Sequence, residues 1–165
     1  MNVLELFAPI KWFIFDIDGV LTDGSLLIMP NGVMTRRMNM KDGYALRLAV
    51  DKGYQISIIS GGSSIEVKER LQKLGITDVH LKVQDKKKLL QALMANHETK
   101  PEEILYMGDD VPDLEVMGIV GLSCCPADAA RDILDISTYI SPYNGGHGCV
   151  RDVIEKVLRL HNKWI

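Results

Sequence analysis

Long hydrophobic runs are missing from this sequence, and so are cysteines in the number or spacing of a disulfide framework. Uninterrupted apolar runs such as Trp12–Phe15 are far too short to span a bilayer. The N-terminus lacks the basic region and long apolar stretch that mark a secretory signal. The three cysteines, Cys124, Cys125 and Cys149, include no CxxC spacing. These absences predict a cytoplasmic protein with reduced thiols and no membrane partner.

A strong charge of one sign is also missing. The formal net charge is −3 for 165 residues, which argues against nucleic acid or an anionic membrane as a partner. Hydrophobic residues make up 47% of the chain and charged residues 25%, the ordinary balance of a globular protein. The length predicts one domain, residues 1–165, built around one buried core.

Short apolar runs alternate with amphipathic stretches along the chain. The runs, at residues 12–15, 56–59, 79–81, 104–107 and 119–122, are typical of buried strands. The stretches, at residues 43–52, 64–74, 86–96 and 149–161, repeat apolar residues at helical spacing. This alternation predicts a doubly wound, Rossmann-like α/β fold, with a parallel sheet covered by helices on both faces.

One segment, residues 24–40, departs from the alternation. The turn signal Pro30-Asn31-Gly32 lies between two strand-like arms, which is the pattern of a β-hairpin. The sequence therefore predicts a hairpin inserted directly after the first strand.

Polar side chains follow four of the predicted strands where each strand ends. They are Asp16 and Asp18, then Ser60, then Lys86, then Asp109 with Asp110. Taken singly, such residues most often form turns or cap helices. Because the carboxyl ends of parallel strands meet at one edge of the sheet, the four sets together predict a crevice that collects carboxylates, a hydroxyl and an ammonium.

Clustered carboxylates of this kind repel one another and are costly to bury without a partner. A hard divalent cation relieves the repulsion, and an all-oxygen site suits Mg²⁺. A metal beside an ammonium and a hydroxyl forms a pocket for a dianionic oxyanion, the charge arrangement that phosphoryl transfer requires.

Two sets of motifs connect this crevice to a known superfamily. The segment from Phe15 to Thr22, FDIDGVLT, resembles the DxDGxxT signature of haloacid dehalogenase phosphatases. Ser60, Lys86 and the segment GDDVPD at residues 108–113 resemble that superfamily's second, third and fourth motifs, in the expected order. The resemblance implies a hydrolase of phosphate monoesters that depends on Mg²⁺.

The resemblance also implies a role for each side chain. Asp16 is expected to attack phosphorus and form an aspartyl-phosphate, and Asp18 to protonate the leaving alcohol and later activate water. Ser60 is expected to hydrogen-bond a phosphoryl oxygen, and Lys86 to neutralise charge. The expected Mg²⁺ ligands are Asp16, the backbone carbonyl of Asp18 and Asp109, supported by Asp110 and Asp113. Lys87 and Lys88 remain alternatives for the lysine, although solvated charges at the start of a helix explain them better.

The stretches between the motifs are too short to hold the cap domain that many superfamily members carry. Asp42-Gly43, Arg70 and the glycine-rich residues 145–151 resemble the capless family that contains 3-deoxy-D-manno-octulosonate 8-phosphate phosphatase. The resemblance implies a keto-deoxy sugar acid phosphate as substrate. The eight-carbon acid of lipopolysaccharide precursor synthesis is expected, and a nine-carbon acid is the alternative. Gly62 replaces the Arg or Glu of the two groups of relatives and leaves room for the eight-carbon acid.

Substrate contacts and assembly follow from the same resemblance. The expected contacts are Gly61, Gly62, Arg70, Lys73, Asp42 and Gly43. Arg70 and Lys73 lie three residues apart on one helix, where periodicity alone also fits solvated charges. Relatives of this kind form homo-oligomers, so a homotetramer is expected, with hairpins assembled into a central barrel.

Two other functions compete with a phosphatase. A response-regulator receiver domain also gathers aspartates and a lysine on a doubly wound sheet, but DxDGxxT is not its spacing. A catalytically idle domain kept for assembly is the second, and the intact motifs argue against it.

Overall fold

Residues 2–165 are described by a computed structural model whose centre is a sheet of six parallel strands. The strands in chain order are β1 (Trp12–Phe15), β2 (Leu27–Ile28), β3 (Met34–Thr35), β4 (Gln55–Ile59), β5 (Asp78–His80), β6 (Ile104–Met107), β7 (Leu122–Cys125) and β8 (Tyr139–Ile140). The order in the sheet is β5-β4-β1-β6-β7-β8, while β2 and β3 pair separately. The chain thus winds outwards from β1 in both directions, and the predicted doubly wound fold is confirmed.

Helices cover both faces of the sheet. They are α1 (Met40–Asp51), α2 (Ile65–Lys73), α3 (Lys86–His97), α4 (Leu114–Met117), α5 (Arg131–Ile136) and α6 (Cys149–Leu160). Successive side chains of a strand point to opposite faces, so β1 contributes to two cores. Phe13 and Phe15 pack with α1, α2 and α6, whereas Trp12 and Ile14 pack with α3, α4 and α5. Among residues 2–165, none of these helices has the length and apolarity needed to cross a bilayer.

The predicted strand boundaries differ most from the structure at one strand, since the others agree to within one residue. The strand expected at residues 119–122 begins only at Leu122, because residues 119–121 turn and the Gly121 N–H donates to the Pro101 carbonyl at 2.7 Å. The strand itself carries Ser123 and two cysteines, which hide its buried character in the sequence. Strand β8 and the short helices α4 and α5 were not predicted.

The predicted hairpin is present as β2 and β3, paired antiparallel. Leu27 and Ile28 are 66% and 69% exposed. A bridge between Thr22 and Met38 closes the base of the hairpin, and Met38 packs against the core. The outer end of the hairpin, with Leu27 and Ile28 beside the turn, is therefore apolar and exposed, and it is called the hairpin tip. The base of the hairpin is held against the rest of the chain.

Candidate active site

A crevice of about 450 Å³ lies beyond the carboxyl ends of the central strands, where ligands of doubly wound sheets bind. It is lined by the predicted phosphoryl-site residues, namely Asp16, Asp18, Ser60, Lys86, Asp109, Asp110 and Asp113, together with Gly61 and Gly62. The sequence motifs are thus brought together, although they are far apart in the chain.

The loop after β1 brings Asp16 and Asp18 into the crevice. The Asp16 Oδ1 atom accepts a hydrogen bond from the Ile17 N–H at 2.7 Å. Gly19 has a φ of +84°, and a Cβ atom there would lie 1.8 Å from an Asp109 carboxylate oxygen. Because only glycine allows both this backbone conformation and this close approach, the fourth-motif aspartate can lie directly against the first-motif loop.

Two further elements hold this loop. Thr22 is fully buried, and its Oγ1 accepts from the Gly19 N–H at 3.3 Å. The glycine-rich loop before α6 packs on the same backbone, where a Cβ atom on Gly145 would lie 1.9 Å from the Gly19 carbonyl oxygen. The Gly146 N–H donates to the Val20 carbonyl at 2.9 Å. These glycines therefore support the first-motif loop of their own chain.

Lys86 lies in the first turn of α3 and is only 5% exposed. Its Nζ atom is 2.8 Å from Asp113 Oδ1 and 3.1 Å from Asp16 Oδ2. Burial opposes the ammonium charge, but the two carboxylates outweigh it and raise the pKa of Lys86. Lys87 and Lys88 do not line the crevice. The geometry therefore selects Lys86 from the three candidates.

Asp113 is a fully buried support for this lysine. Its Oδ1 also accepts from the Tyr106 hydroxyl at 2.7 Å, and its Oδ2 accepts from the Asp109 N–H at 3.0 Å. A Cβ atom on Gly108 would lie 2.4 Å from the Asp113 Cγ, which explains the glycine of the fourth motif. The part that Tyr106 plays in holding Asp113 was not predicted. The one signal in the sequence is a hydroxyl within an otherwise apolar strand, because a buried tyrosine needs a hydrogen-bond partner.

Three carboxylates, those of Asp16, Asp109 and Asp113, present oxygens within 4.8 Å of one another. Burial, together with the charge of Asp113, raises the pKa of Asp16 to about 7. Burial and the charge of Asp16 raise the pKa of Asp109 to about 8. Such acids are ionised together at neutral pH only beside a cation, and an all-oxygen donor set fits Mg²⁺.

Ser60 follows β4 and is 1% exposed. Its Oγ accepts from the Gly62 N–H at 3.0 Å, so the hydroxyl is held at the crevice wall. A Cβ atom on Gly62 would lie 3.1 Å from Asp18 Oδ2 and 3.6 Å from an Arg36 nitrogen. The missing side chain thus keeps open the space between the second motif and the mouth of the crevice.

Arg36, just after β3, was not singled out from the sequence. Its side chain is only 9% exposed, and its Nε lies 2.5 Å from Asp18 Oδ1 while its Nη2 lies 3.3 Å from Asp18 Oδ2. No local sequence pattern predicts this contact, because two adjacent arginines, Arg36 and Arg37, are typical of a solvated surface. The hairpin thus contributes a cation to the crevice mouth.

Four predicted substrate contacts lie away from the crevice lining of their own chain. Arg70 borders a separate groove between the hairpin and α2, and Gly43 lies against it, with its Cβ position 3.3 Å from the guanidinium. Lys73 is exposed near the end of α2. Asp42 is 2% exposed, and its Oδ1 accepts from the Arg151 N–H at 2.9 Å. Within one chain, Asp42 therefore caps α6 rather than facing the crevice.

The fold and the site define a haloacid dehalogenase-like hydrolase, and the family model of that description matches residues 78–154. The 3-deoxy-D-manno-octulosonate 8-phosphate phosphatase KdsC of Yersinia pestis is 33% identical over 98% of this chain and 87% of its own. The enzyme of that name from Escherichia coli K12 is 34% identical over 98% and 86%. The chain belongs to the 3-deoxy-D-manno-octulosonate 8-phosphate phosphatase family, which excludes the receiver-domain alternative.

Solved structures agree with this assignment. The crystal structure of the Yersinia pestis phosphatase superposes with a TM-score of 0.94 at 34% identity, covering 98% of this chain and 87% of that one. The Moraxella catarrhalis phosphatase, solved in complex with magnesium, phosphate and KDO, gives a TM-score of 0.93 at 30% identity, covering 98% and 92%.

Proposed function

We propose that this protein hydrolyses the phosphate monoester of a keto-deoxy sugar acid in the cytoplasm, with 3-deoxy-D-manno-octulosonate 8-phosphate as its preferred substrate. The observation that carries the proposal is Lys86, buried between Asp16 and Asp113 beside carboxylates that can hold a divalent cation. The names of the curated relatives supply the sugar acid.

Mg²⁺ would be held by Asp16, Asp109 and the backbone carbonyl of Asp18, and when bound it neutralises phosphoryl oxygens and polarises phosphorus. In the first half of the reaction, an Asp16 carboxylate oxygen attacks phosphorus and the bond from phosphorus to the sugar oxygen breaks. Asp18 gives a proton to that oxygen, so the sugar acid leaves as an alcohol. Lys86 offsets the negative charge on the transferring phosphoryl group, and Ser60 donates a hydrogen bond to one of its oxygens.

In the second half, the ionised Asp18 takes a proton from a water molecule whose oxygen attacks the phosphorus of the aspartyl-phosphate. The bond from phosphorus to Asp16 breaks, which releases inorganic phosphate and restores both carboxyl groups. The proton that Asp18 gave to the sugar is thereby replaced, and the chain returns to its starting state.

The sugar acid itself needs further contacts, because the crevice is open and residues 2–165 form no cap domain over it. The exposed apolar tip of the hairpin favours association with other copies of this chain, since an isolated hairpin is marginal in water. A homotetramer, the assembly implied by the family resemblance, would place neighbouring chains beside each crevice. Arg70, in the groove beside the hairpin, lies where such an interface would form.

A panel of phosphate esters assayed side by side with Mg²⁺ tests the substrate. The eight-carbon acid phosphate should give the highest kcat/KM, ahead of its nine-carbon homologue and of hexose 6-phosphates. An Asp16→Asn preparation run in parallel controls for contaminating phosphatases. A higher kcat/KM on the nine-carbon acid or on a hexose phosphate would reject the assignment.

A further inference from the structure

The carboxylate of Asp18 has its hydrogen-bond partners on a different structural element from its own. Within residues 2–165, both hydrogen bonds to this carboxylate come from the Arg36 guanidinium, with Nε to Oδ1 at 2.5 Å and Nη2 to Oδ2 at 3.3 Å. The opposite side, at Gly62, carries no side chain that could hold it. The Asp18 side chain is 39% exposed, so without Arg36 it would be free to change rotamer.

Arg36 itself is well fixed. Its side chain is nine-tenths buried, although the hairpin strands before it are exposed. Its Nη1 donates to the Met34 carbonyl at 3.2 Å, which ties the guanidinium to the backbone of β3. Two contacts from a planar guanidinium fix both the position and the plane of a carboxylate, which a single lysine ammonium does not do.

We propose that Arg36 is a positioning residue that holds the Asp18 carboxyl group in the orientation needed at the leaving oxygen. The proposal rests on the proposed function, since it concerns the proton transfers of that reaction. It also gives the hairpin a part in catalysis within its own chain, because the hairpin carries the group that orients Asp18.

Substrates with different leaving groups separate this role from a general loss of structure. A sugar alkoxide must receive a proton as the bond from phosphorus breaks, whereas p-nitrophenolate is a stable anion and leaves without one. Arg36→Gln should therefore lower kcat on the sugar acid phosphate by about 10–100-fold, less than the ~10²–10⁴-fold typical of losing a general acid–base group, because Asp18 itself is still present. With p-nitrophenyl phosphate it should still release one equivalent of p-nitrophenol in a rapid burst, followed by slow turnover.

Three comparisons sharpen the test. Arg37→Gln removes the same charge from the neighbouring exposed position and should leave kcat unchanged. Arg36→Lys keeps the charge without the planar fork and should recover only part of the lost kcat. In a double-mutant cycle, Arg36→Gln should have no further effect once Asp18→Asn is in place, because a residue that acts through Asp18 loses its effect with it.

Three results would overturn the proposal: an unchanged kcat, a raised KM with kcat intact, or a burst lost in the same proportion as turnover. The second would make Arg36 a substrate-binding residue, and the third a structural one. Wild-type protein, measured in the same series with Mg²⁺, distinguishes a failure of the proposed function from a failure of the inference about Arg36. If it hydrolyses neither ester, the proposed function fails and the inference with it. If it hydrolyses both and Arg36→Gln matches it, the inference alone fails.

Discussion

The floor of the crevice and the tip of the hairpin lie in one chain but leave very different surfaces to their surroundings. At the floor, Lys86 and Asp113 are 5% and 0% exposed, and each makes hydrogen bonds to side chains of the same chain. At the tip, Leu27 and Ile28 are 66% and 69% exposed. The contrast fits the proposal that one chain supplies the groups for a phosphoryl group, while other copies of the chain help to bind the sugar acid.

The largest effect is expected at the floor. Asp16→Asn keeps the shape of the side chain but replaces the attacking oxygen and a metal ligand, so turnover should fall on the order of 10⁴–10⁶-fold, the scale seen when a catalytic nucleophile is removed. Steady-state kinetics with the sugar acid phosphate measures this. Circular dichroism and the sedimentation coefficient should match the wild type. Turnover near the wild-type value in a folded variant would refute the nucleophile assignment.

A smaller effect is expected from protons competing with Mg²⁺ at the same floor. The pKa values of about 7 for Asp16 and about 8 for Asp109 mean that cation binding must displace protons at neutral pH. Apparent Mg²⁺ affinity should therefore fall on the order of 100-fold from pH 8.5 to pH 6.5, which isothermal titration calorimetry measures. An affinity that does not change with pH would show that these acids do not hold the metal.

The same raised pKa values predict how stability changes in the metal-free protein. The pKa of each acid in the folded protein lies above its unfolded value of 3.8. Protonation of Asp16 and Asp109 therefore stabilises the folded state fully below about pH 4, and this contribution to the free energy of unfolding is lost as the pH rises through 7 and 8. Mg²⁺ should consequently raise the free energy of unfolding most at pH 8 and least at pH 5. Denaturant unfolding with Mg²⁺ or with a chelator gives the comparison.

The smallest effect is expected at the hairpin tip. Placing lysines at both Leu27 and Ile28 should prevent the proposed assembly and raise KM for the sugar acid phosphate about tenfold, equivalent to about 1.4 kcal/mol of lost binding. Hydrolysis of p-nitrophenyl phosphate should change less, because it needs only the floor. Analytical ultracentrifugation beside kinetics on both esters tests this, and Met38 is avoided because it packs against the core.

Ile136→Lys is a suitable control, since Ile136 is an exposed apolar residue, 44% accessible, on α5 away from the hairpin. It should change neither the assembly nor KM. A hairpin variant that stays assembled, or one that dissociates with an unchanged KM, would contradict the division of roles between floor and tip.

The residues that line the floor could be located from the sequence because they lie at the ends of strands or at the start of a helix. Asp16 and Lys86 each lie within one or two residues of an element boundary, so the direction of the sheet determines where their side chains meet. Arg36 could not be predicted, because its partner Asp18 lies across the hairpin and no periodicity relates the two. The contact that Asp42 makes within its own chain could not be predicted for a related reason. Its partner is the first turn of α6, and a capping role between distant helices leaves no local pattern.

The packing of Gly145 and Gly146 on the loop after β1 has a consequence for how the protein folds. The contact joins the first strand to the approach of the last helix, so it has a long sequence separation, and contacts of this kind form late because closing a long loop is costly in entropy. A growing chain would contain Asp16, Ser60, Lys86 and Asp109 well before this contact can form. We therefore expect the loop that carries Asp16 to be among the last parts of the protein to take its final shape, which pulse-labelling hydrogen exchange during refolding would measure.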